Sequence, residues 1–489
     1  MFWRKKKKPK TKSVKLKENV EAVATAIALA MLIRLFALEA FMIPTGSMAP
    51  TLYGDHAEIH CPNCGAEFAV GAHGKMSEFE PAVVTQHRCP YCGAQGEFAV
   101  RPANDGSGAG EACCPVCGRC FTVDAYGAGS REAVWRLRTV CPVCGYEFCA
   151  DLHRNDLSVG DRILVDKMAY LFRKPRRWEV VVFKWPMDTS KNYIKRLVGL
   201  PGETLEIRRG EIYANGRIAR KPAWARRVVA RPVWLMGRRR RSATVPWRAE
   251  SGSWRFQSDR FSADASASAD ARAVLTLQPE NRLPYNDREP ALLVGDVTLK
   301  FRVRVRDASD GAAVQAELSE EAEYDGASGE FGVRRSASLN VGVGAGDCSI
   351  VVDGERRAGG GTFLSPGRWH EIEFSNVDMR AEVRVDGRLV ARWDDDRSHD
   401  WSPEKVTVAV GIRGCRAEFT NVEVWRDIYY DPGGDCIRTV KVPEDGYWVM
   451  GDNTPNSNDS RSWGVVPADN MMGRALAVFW PLNRWHLIR

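Results

Sequence analysis

Histidine is scarce in this chain, at eight of 489 residues, and none of the eight stands in a setting that suggests catalysis. That scarcity argues against a Ser-His-Asp hydrolase, which needs an imidazole base. The familiar serine signatures are also missing where a serine is most conspicuously presented. In "FMIPTGSMAPTL" (residues 41–52) the single serine, Ser47, is not flanked as G-x-S-x-G. Nor does it begin S-x-x-K, because the third residue after it is Pro50. If Ser47 reacts, its base comes from elsewhere in the chain.

Acid is absent from the first 17 residues, which carry nine basic side chains. The whole chain has a net charge of +8, so everything after this tail is close to neutral. The basicity is therefore a terminal cluster and not a nucleic-acid-binding face. A long unbroken apolar run is lacking too. Residues 22–33 are uncharged, Arg34 interrupts, and apolar character resumes from Leu35 to Ile43 with Glu39 inside it. Spanning a bilayer takes roughly 20 residues, so a span over 19–42 places Arg34 and Glu39 at its far end, where Arg can snorkel. The lysines then stay cytoplasmic and the remainder is exported. A cleavable signal peptide and a surface-lying amphipathic helix are the competing readings of this segment.

Cysteine is plentiful but confined. Eleven of the fourteen fall between residues 61 and 149, mostly in CPxCG units beginning at 61, 89, 114 and 141. Cys61 to Cys89 is 28 residues and Cys114 to Cys141 is 27, an approximate C-x2-C…C-x2-C repeat with zinc-ribbon spacing. The candidate ligands are Cys61, Cys64, Cys89, Cys92, Cys114, Cys117, Cys141 and Cys144, enough for up to two structural zinc ions. Disulfides are the competing use, because an exported region is oxidising. Cys113, Cys120 and Cys149 are left over, and His60 and His87 adjoin the clusters.

The rest reads as β structure. Residues 157–221 hold short apolar runs broken by Gly, Pro and Asn-Gly turns. Between about 246 and 425, "VTLKFRVRV" alternates apolar and polar, and "SIVVDGE" and "VRVDGRLVARW" place Asp-Gly between candidate strands. This pattern predicts a β-sandwich, and "GRWHEIEFSNVDMRAEVRVDGRLVARW" resembles a concanavalin-like (laminin-G-like) jelly roll. "GRRRR" (237–241) reads as a solvated loop, and "SPEK" (402–405) as a chance match, since its lysine opens a strand.

Lys195, in "NYIKRLVGLPG", is set among Tyr193, Ile194, Leu197 and Val198. A lysine in such a strand usually points to water. If buried, however, it loses part of its affinity for a proton and becomes a usable base. "IPTGSMAPTL" (43–52), "GDRILVDK" (160–167), "YIKRLVGLPGE" (193–203) and "GDNTPNSNDSRSWG" (451–464) occur in this order after an apolar segment. Together with "GRALAVFWP" they resemble the bacterial type I signal peptidases, membrane-anchored serine–lysine endopeptidases.

The resemblance implies Ser47 as nucleophile and Lys195 as general base. It also implies Thr45 as an oxyanion donor, Ser457 as a partner that aims Lys195, and an Asp459–Arg461 pair that holds the loop. Asp452 is a structural carboxylate in this reading, and Lys167 a structural residue whose alternative is an exposed ion pair. Thr454-Pro455 departs from the family's Arg-Asp after "GDN". A peptide added as a strand beside these segments would put side chains near Ile43, Met48, Leu52, Tyr193 and Ile194, favouring small residues of Ala-x-Ala type.

The expected protein is mainly β. A basic tail (1–18) and a single transmembrane helix (19–42) precede a signal-peptidase-type core in three parts (43–57, 151–224, 428–489). A zinc-ribbon-like insert (58–150) and a jelly-roll insert (225–427) interrupt that core. Catalysis needs no cofactor. Expected partners are preprotein signal peptides, the lipid bilayer and the secretion machinery, with no nucleic acid. The expected location is the inner membrane, N-terminus cytoplasmic. The competing function is a membrane-tethered binding protein with an inactive or repurposed protease core.

Overall fold

The computed structural model describes residues 19–25, 37–103, 108–124, 130–144, 146–237, 247–266, 270–277, 292–325, 330–396, 401–432 and 439–488. Its centre is an eight-stranded antiparallel sheet built from distant parts of the chain. In spatial order the strands are Leu38–Met42, Arg162–Asp166, Met471–Trp480, Val180–Trp185, Asp188–Gly199, Gly446–Met450 and Val466–Pro467, with His486–Leu487 paired to Met471–Trp480. The β-branched runs "RILVD" and "VVVFKW" form buried strands because their side chains pack on the sheet. Ile163, Val165, Val180, Val182 and Val478 make one core beneath the sheet, while Val181, Phe183, Leu197 and Val449 make the other.

This sheet corrects the expected anchor. Residues 19–25 are helical, and 26–36 lie outside the described residues. Leu38–Met42 is a strand, in register with Asp166–Arg162. Glu39 lies 3.2 Å from Lys167, so that lysine makes the ion pair weighed for it, although the pair is half-buried and not exposed. The five residues find backbone partners in the sheet, so the apolar segment ends before Leu38. Among the described residues no helix is long and apolar enough to cross a membrane.

The cysteine-rich region is a six-stranded sheet of hairpins, preceded by a three-stranded sheet in which His56–His60 lies between Leu157–Ser158 and Glu67–Gly71. The expected boundary at 57/58 thus cuts through a strand.

The second interruption is a β-sandwich of an eight-stranded and a seven-stranded sheet. Val297–Arg306 buries every second residue, as one face of a sandwich demands. Phe301, Phe374, Phe419, Leu339 and Ile412 meet between the sheets. Chain entry and exit are neighbours, with Arg231 paired to Arg426 in adjacent strands. The "GRRRR" segment lies largely outside the described residues, and Lys405 of "SPEK" begins a strand as expected.

Candidate active site and four-cysteine units

The "PTGSM" segment follows the first strand and cannot continue it, because Pro44 lacks a donor. It turns as a short 3-10 helix, Gly46–Met48, with Thr45 extended before it. Two close approaches set this turn. A Cβ on Gly160 would lie 1.7 Å from the Ile43 carbonyl oxygen, and one on Gly54 would lie 2.4 Å from the Thr45 carbonyl carbon. Only glycine fits at either place.

The turn brings Ser47 to Lys195. Lys195 Nζ lies 2.8 Å from Ser47 Oγ and 2.9 Å from the Ile194 carbonyl oxygen. The lysine is 3% exposed. Burial lowers its pKa to about 8, against the opposing pull of Asp459 and Asp452. The outward-pointing alternative for Lys195 is thereby excluded.

The loop after Gly446–Met450 supports this pair. Asp459 is fully buried, accepts from Gly451 N at 3.0 Å and forms a two-pronged pair with Arg461. Arg461 also donates to the carbonyl oxygens of Asp431 and Thr454. The expected Asp459–Arg461 pairing is present. Ser457 does not meet its expectation in full. Its Oγ is buried beside Gly451, but it has no hydrogen-bond partner and makes no bond to Lys195. Lys195 instead spends its contact on the Ile194 carbonyl. Thr45 is exposed, and its side chain makes no capping bond to the turn.

Two residues escaped the sequence reading. Asn453 is fully buried and holds the serine turn twice, its backbone N 3.1 Å from Ser47 O and its Nδ2 3.0 Å from Gly46 O. Arg196 pairs with Asp452 through two 2.7 Å bonds, both side chains fully buried, and donates to Trp178 O. Strand alternation after Lys195 was the available signal for Arg196, since it must face the opposite side. Asn453 closes the "GDN" of the motif at 451–464, but nothing local says that it bonds the serine turn.

Of the expected substrate walls, Met48 and Leu52 are wholly buried and Ile43 is 4% exposed. They pack with Ile163 and Val165 and form the floor of the turn, where Leu52 N donates to Met48 O at 2.9 Å. Tyr193 and Ile194 are half-buried, with Tyr193 stacked on Trp185 at 5.3 Å. From Asn192 to Lys195 one edge of the strand pairs with Val181–Lys184. On the other edge, the pairing with Gly446–Met450 starts only at Arg196.

These elements match the description "Signal peptidase, peptidase S26" over residues 151–252 and 381–480. The chain is similar to that family over these two stretches. They include Lys195, Asn453, Ser457 and Asp459, while Ser47 precedes them. Similar curated proteins are a probable signal peptidase I-1 of Synechocystis sp., 33% identical over 18% of this chain and 49% of that protein. A signal peptidase I of Leptolyngbya laminosa is 57% identical over 9% of this chain and 22% of that protein. Another, of Pseudomonas aeruginosa, is 41% identical over 13% and 26%. The chain thus spans half or less of the length of these relatives. A carbohydrate-binding module of Bacillus subtilis aligns with 37% of this chain and 96% of its own, at 14% identity and a TM-score of 0.26, too low to carry an argument.

The CPxCG turns form two four-cysteine units that could each hold a metal ion: Cys61, Cys64, Cys141 and Cys144, and Cys89, Cys92, Cys114 and Cys117. The pairing is nested. It corrects the consecutive pairing suggested by the 28- and 27-residue spacings, because the long hairpins fold the first turn back onto the last. Sγ–Sγ contacts of 3.6 Å (Cys61–Cys144, Cys64–Cys141) and 3.7 Å (Cys89–Cys117) approach the ~3.8 Å edge of a tetrahedron with metal–sulfur bonds of about 2.3 Å. Backbone N–H groups of Cys64 and Val143 reach Cys61 and Cys141 sulfur. His60 and His87 bond instead to Glu67 and Thr85.

Proposed function

We propose that this protein is a membrane-associated serine endopeptidase that removes signal peptides from exported preproteins with a Ser47–Lys195 dyad. The observation that carries this reading is the 2.8 Å contact between Ser47 Oγ and a lysine amine that burial makes less basic. The neutral amine takes the Ser47 proton as Oγ attacks the scissile carbonyl. In this reading the Ser47 backbone N–H and the Thr45 hydroxyl receive the oxyanion, the role that the resemblance implies for them. The Lys195 ammonium then gives its proton to the leaving amine, and the neutral amine later activates the water that releases the acyl group.

The substrate adds as a strand on the open edge at Asn192–Lys195, where backbone pairing gives affinity without reading sequence. Tyr193 and Ile194 flank that edge, and in this reading they select small residues before the cut. Thus the Ala-x-Ala preference remains part of this proposal. The segment before Leu38 anchors the chain, with residues 1–17 cytoplasmic. Met42 on the strand that follows it, and Trp480, Leu482, Trp485 and Leu487 on the last strands of the sheet and the turn joining them, are exposed apolar residues suited to a bilayer surface. The four-cysteine units hold structural zinc, and the sandwich is a concanavalin-like accessory domain.

The test is cleavage of a model preprotein in detergent. Wild type should cut it at the signal-peptide junction, and Ser47→Ala and Lys195→Ala should not. Undiminished cleavage by either folded variant, or none by wild type, would overturn the assignment.

A further inference from the structure

The three cysteines left over by the metal units are brought together by the fold. Cys113 and Cys120 form a disulfide, and Cys149 is a free thiol. All three sulfurs lie within 4.8 Å of one another. Their positions relative to the four-cysteine units give this cluster its interest. Cys113 and Cys120 flank the turn that carries Cys114 and Cys117, so their bond closes the base of that turn. Cys149 lies on Glu147–Leu152, the strand that leaves the turn of Cys141 and Cys144 in the other unit. Its backbone N donates to Gly118 O at 2.7 Å, and Tyr146 Oη donates to Cys117 O at 2.8 Å. The contact is close: a Cβ on Gly118 would lie 2.4 Å from Phe148 Cβ and 3.0 Å from Pro62 Cγ, at a φ of +71. The cluster is thus the seam between the two units.

We propose that Cys113, Cys120 and Cys149 are a thiol–disulfide exchange site in which a single disulfide alternates between Cys113–Cys120 and Cys113–Cys149. Cys149, as thiolate, attacks Cys113 Sγ. The Cys113–Cys120 bond breaks, a Cys113–Cys149 bond forms, and Cys120 leaves as thiolate and takes up the proton that Cys149 gave to solvent. One disulfide and one thiol are present before and after, so no oxidant or reductant is consumed. The choice of sulfur follows from burial. Cys113 is 4% exposed, whereas Cys120 and Cys149 are half-buried. Attack on Cys120 would release a thiolate at the buried Cys113, which is the poorer leaving group. In the first arrangement the bond closes one hairpin on itself. In the second it staples that hairpin to the strand leading out of the other unit, so the two units become covalently joined.

The experiment uses the full chain in detergent, purified without reductant, quenched in acid, labelled with N-ethylmaleimide and mapped by mass spectrometry after proteolysis. Wild type should show one label shared between Cys149 and Cys120, together with both Cys113–Cys120 and Cys113–Cys149 linked peptides. Glutathione redox buffer should bring the two forms to a constant ratio from either starting mixture. Cys120→Ser should carry Cys113–Cys149 throughout, and Cys149→Ser only Cys113–Cys120. Three outcomes would each overturn the proposal. They are a wild type holding only Cys113–Cys120 after equilibration, a triad labelled at all three thiols, and a third bound metal per chain that is lost in Cys149→Ser. The wild-type map decides the matter even if a variant fails to fold.

Discussion

Lys195 Nζ and Ser47 Oγ are 2.8 Å apart although 148 residues separate them in the chain. A region with two four-cysteine units and part of the central sheet intervene in sequence, yet the amine is buried against the hydroxyl with Tyr193 beside it, its ring centre 5.4 Å from the nitrogen. Charge at that position is therefore expensive, which has consequences for both rate and stability.

With the Lys195 pKa lowered to about 8, activity should rise with pH through a limb near 8, as the amine loses its proton. The pH–rate profile of preprotein cleavage checks this. A limb near 10, the range of an exposed lysine, would contradict burial as the cause.

The same lysine should limit stability. Unfolded, it binds a proton up to about pH 10.4; folded, only up to about 8. Between these values the unfolded chain holds the extra proton, so this group's contribution to stability rises with pH and is at its least favourable below 8. Lys195→Met should be inactive and more stable at pH 7, by on the order of 1–3 kcal/mol. Denaturant unfolding at pH 7 and 10 measures it, and the gain should shrink at the higher pH.

Asn453 holds the carbonyls of Gly46 and Ser47. Asn453→Ala should lower kcat on the order of 10- to 100-fold with little change in KM, because a displaced nucleophile loses orientation more than binding. Ser457→Ala should cost less, since its hydroxyl makes no hydrogen bond here. Steady-state kinetics of the two variants on one substrate rank them.

The nested cysteine units predict which losses coincide. Cys61→Ser and Cys141→Ser should each remove the same zinc ion, so the double variant loses no more than either alone. Cys61→Ser with Cys89→Ser should lose both. Elemental analysis of the purified variants distinguishes this from consecutive pairing, in which Cys61 and Cys89 would share a site.

The sandwich can be removed only with its contact to the core in mind. Lys221 is buried between Asp378 of the sandwich and Asp427, 2.9 Å away. Replacing 231–426 with a short Gly/Ser linker should retain cleavage, because entry and exit are adjacent. It also strips Asp378 from Lys221, so the shortened chain should be less stable by a few kcal/mol. Lys221→Met in that background should cost further stability, because it leaves Asp427 buried without its cation, as read by thermal unfolding.

Much of this protein is legible from the sequence because the deciding signals are local. Alternation along "VTLKFRVRV", the Asp-Gly turns and the CPxCG units each fix geometry within a few residues. The ordered motifs around Ser47, Lys195 and Asp459, through their resemblance to the type I signal peptidases, imply the pair that lies 2.8 Å apart. What tertiary structure alone decided depends on pairing between distant segments. Leu38–Met42 is apolar enough to extend a span, but its backbone found partners in Arg162–Asp166. Met48 and Leu52 sit in the serine motif, yet the turn directs them into the core. The cysteine spacing is equally compatible with consecutive or nested units, and hairpin folding chose the nested one. Asn453 stands in the "GDN" motif, but its role exists only once the loop after Met450 lies against the turn at Ser47. Sequence sets which residues can react or bind; long-range packing sets which of them meet, since the energy of meeting comes from contacts that no short window contains.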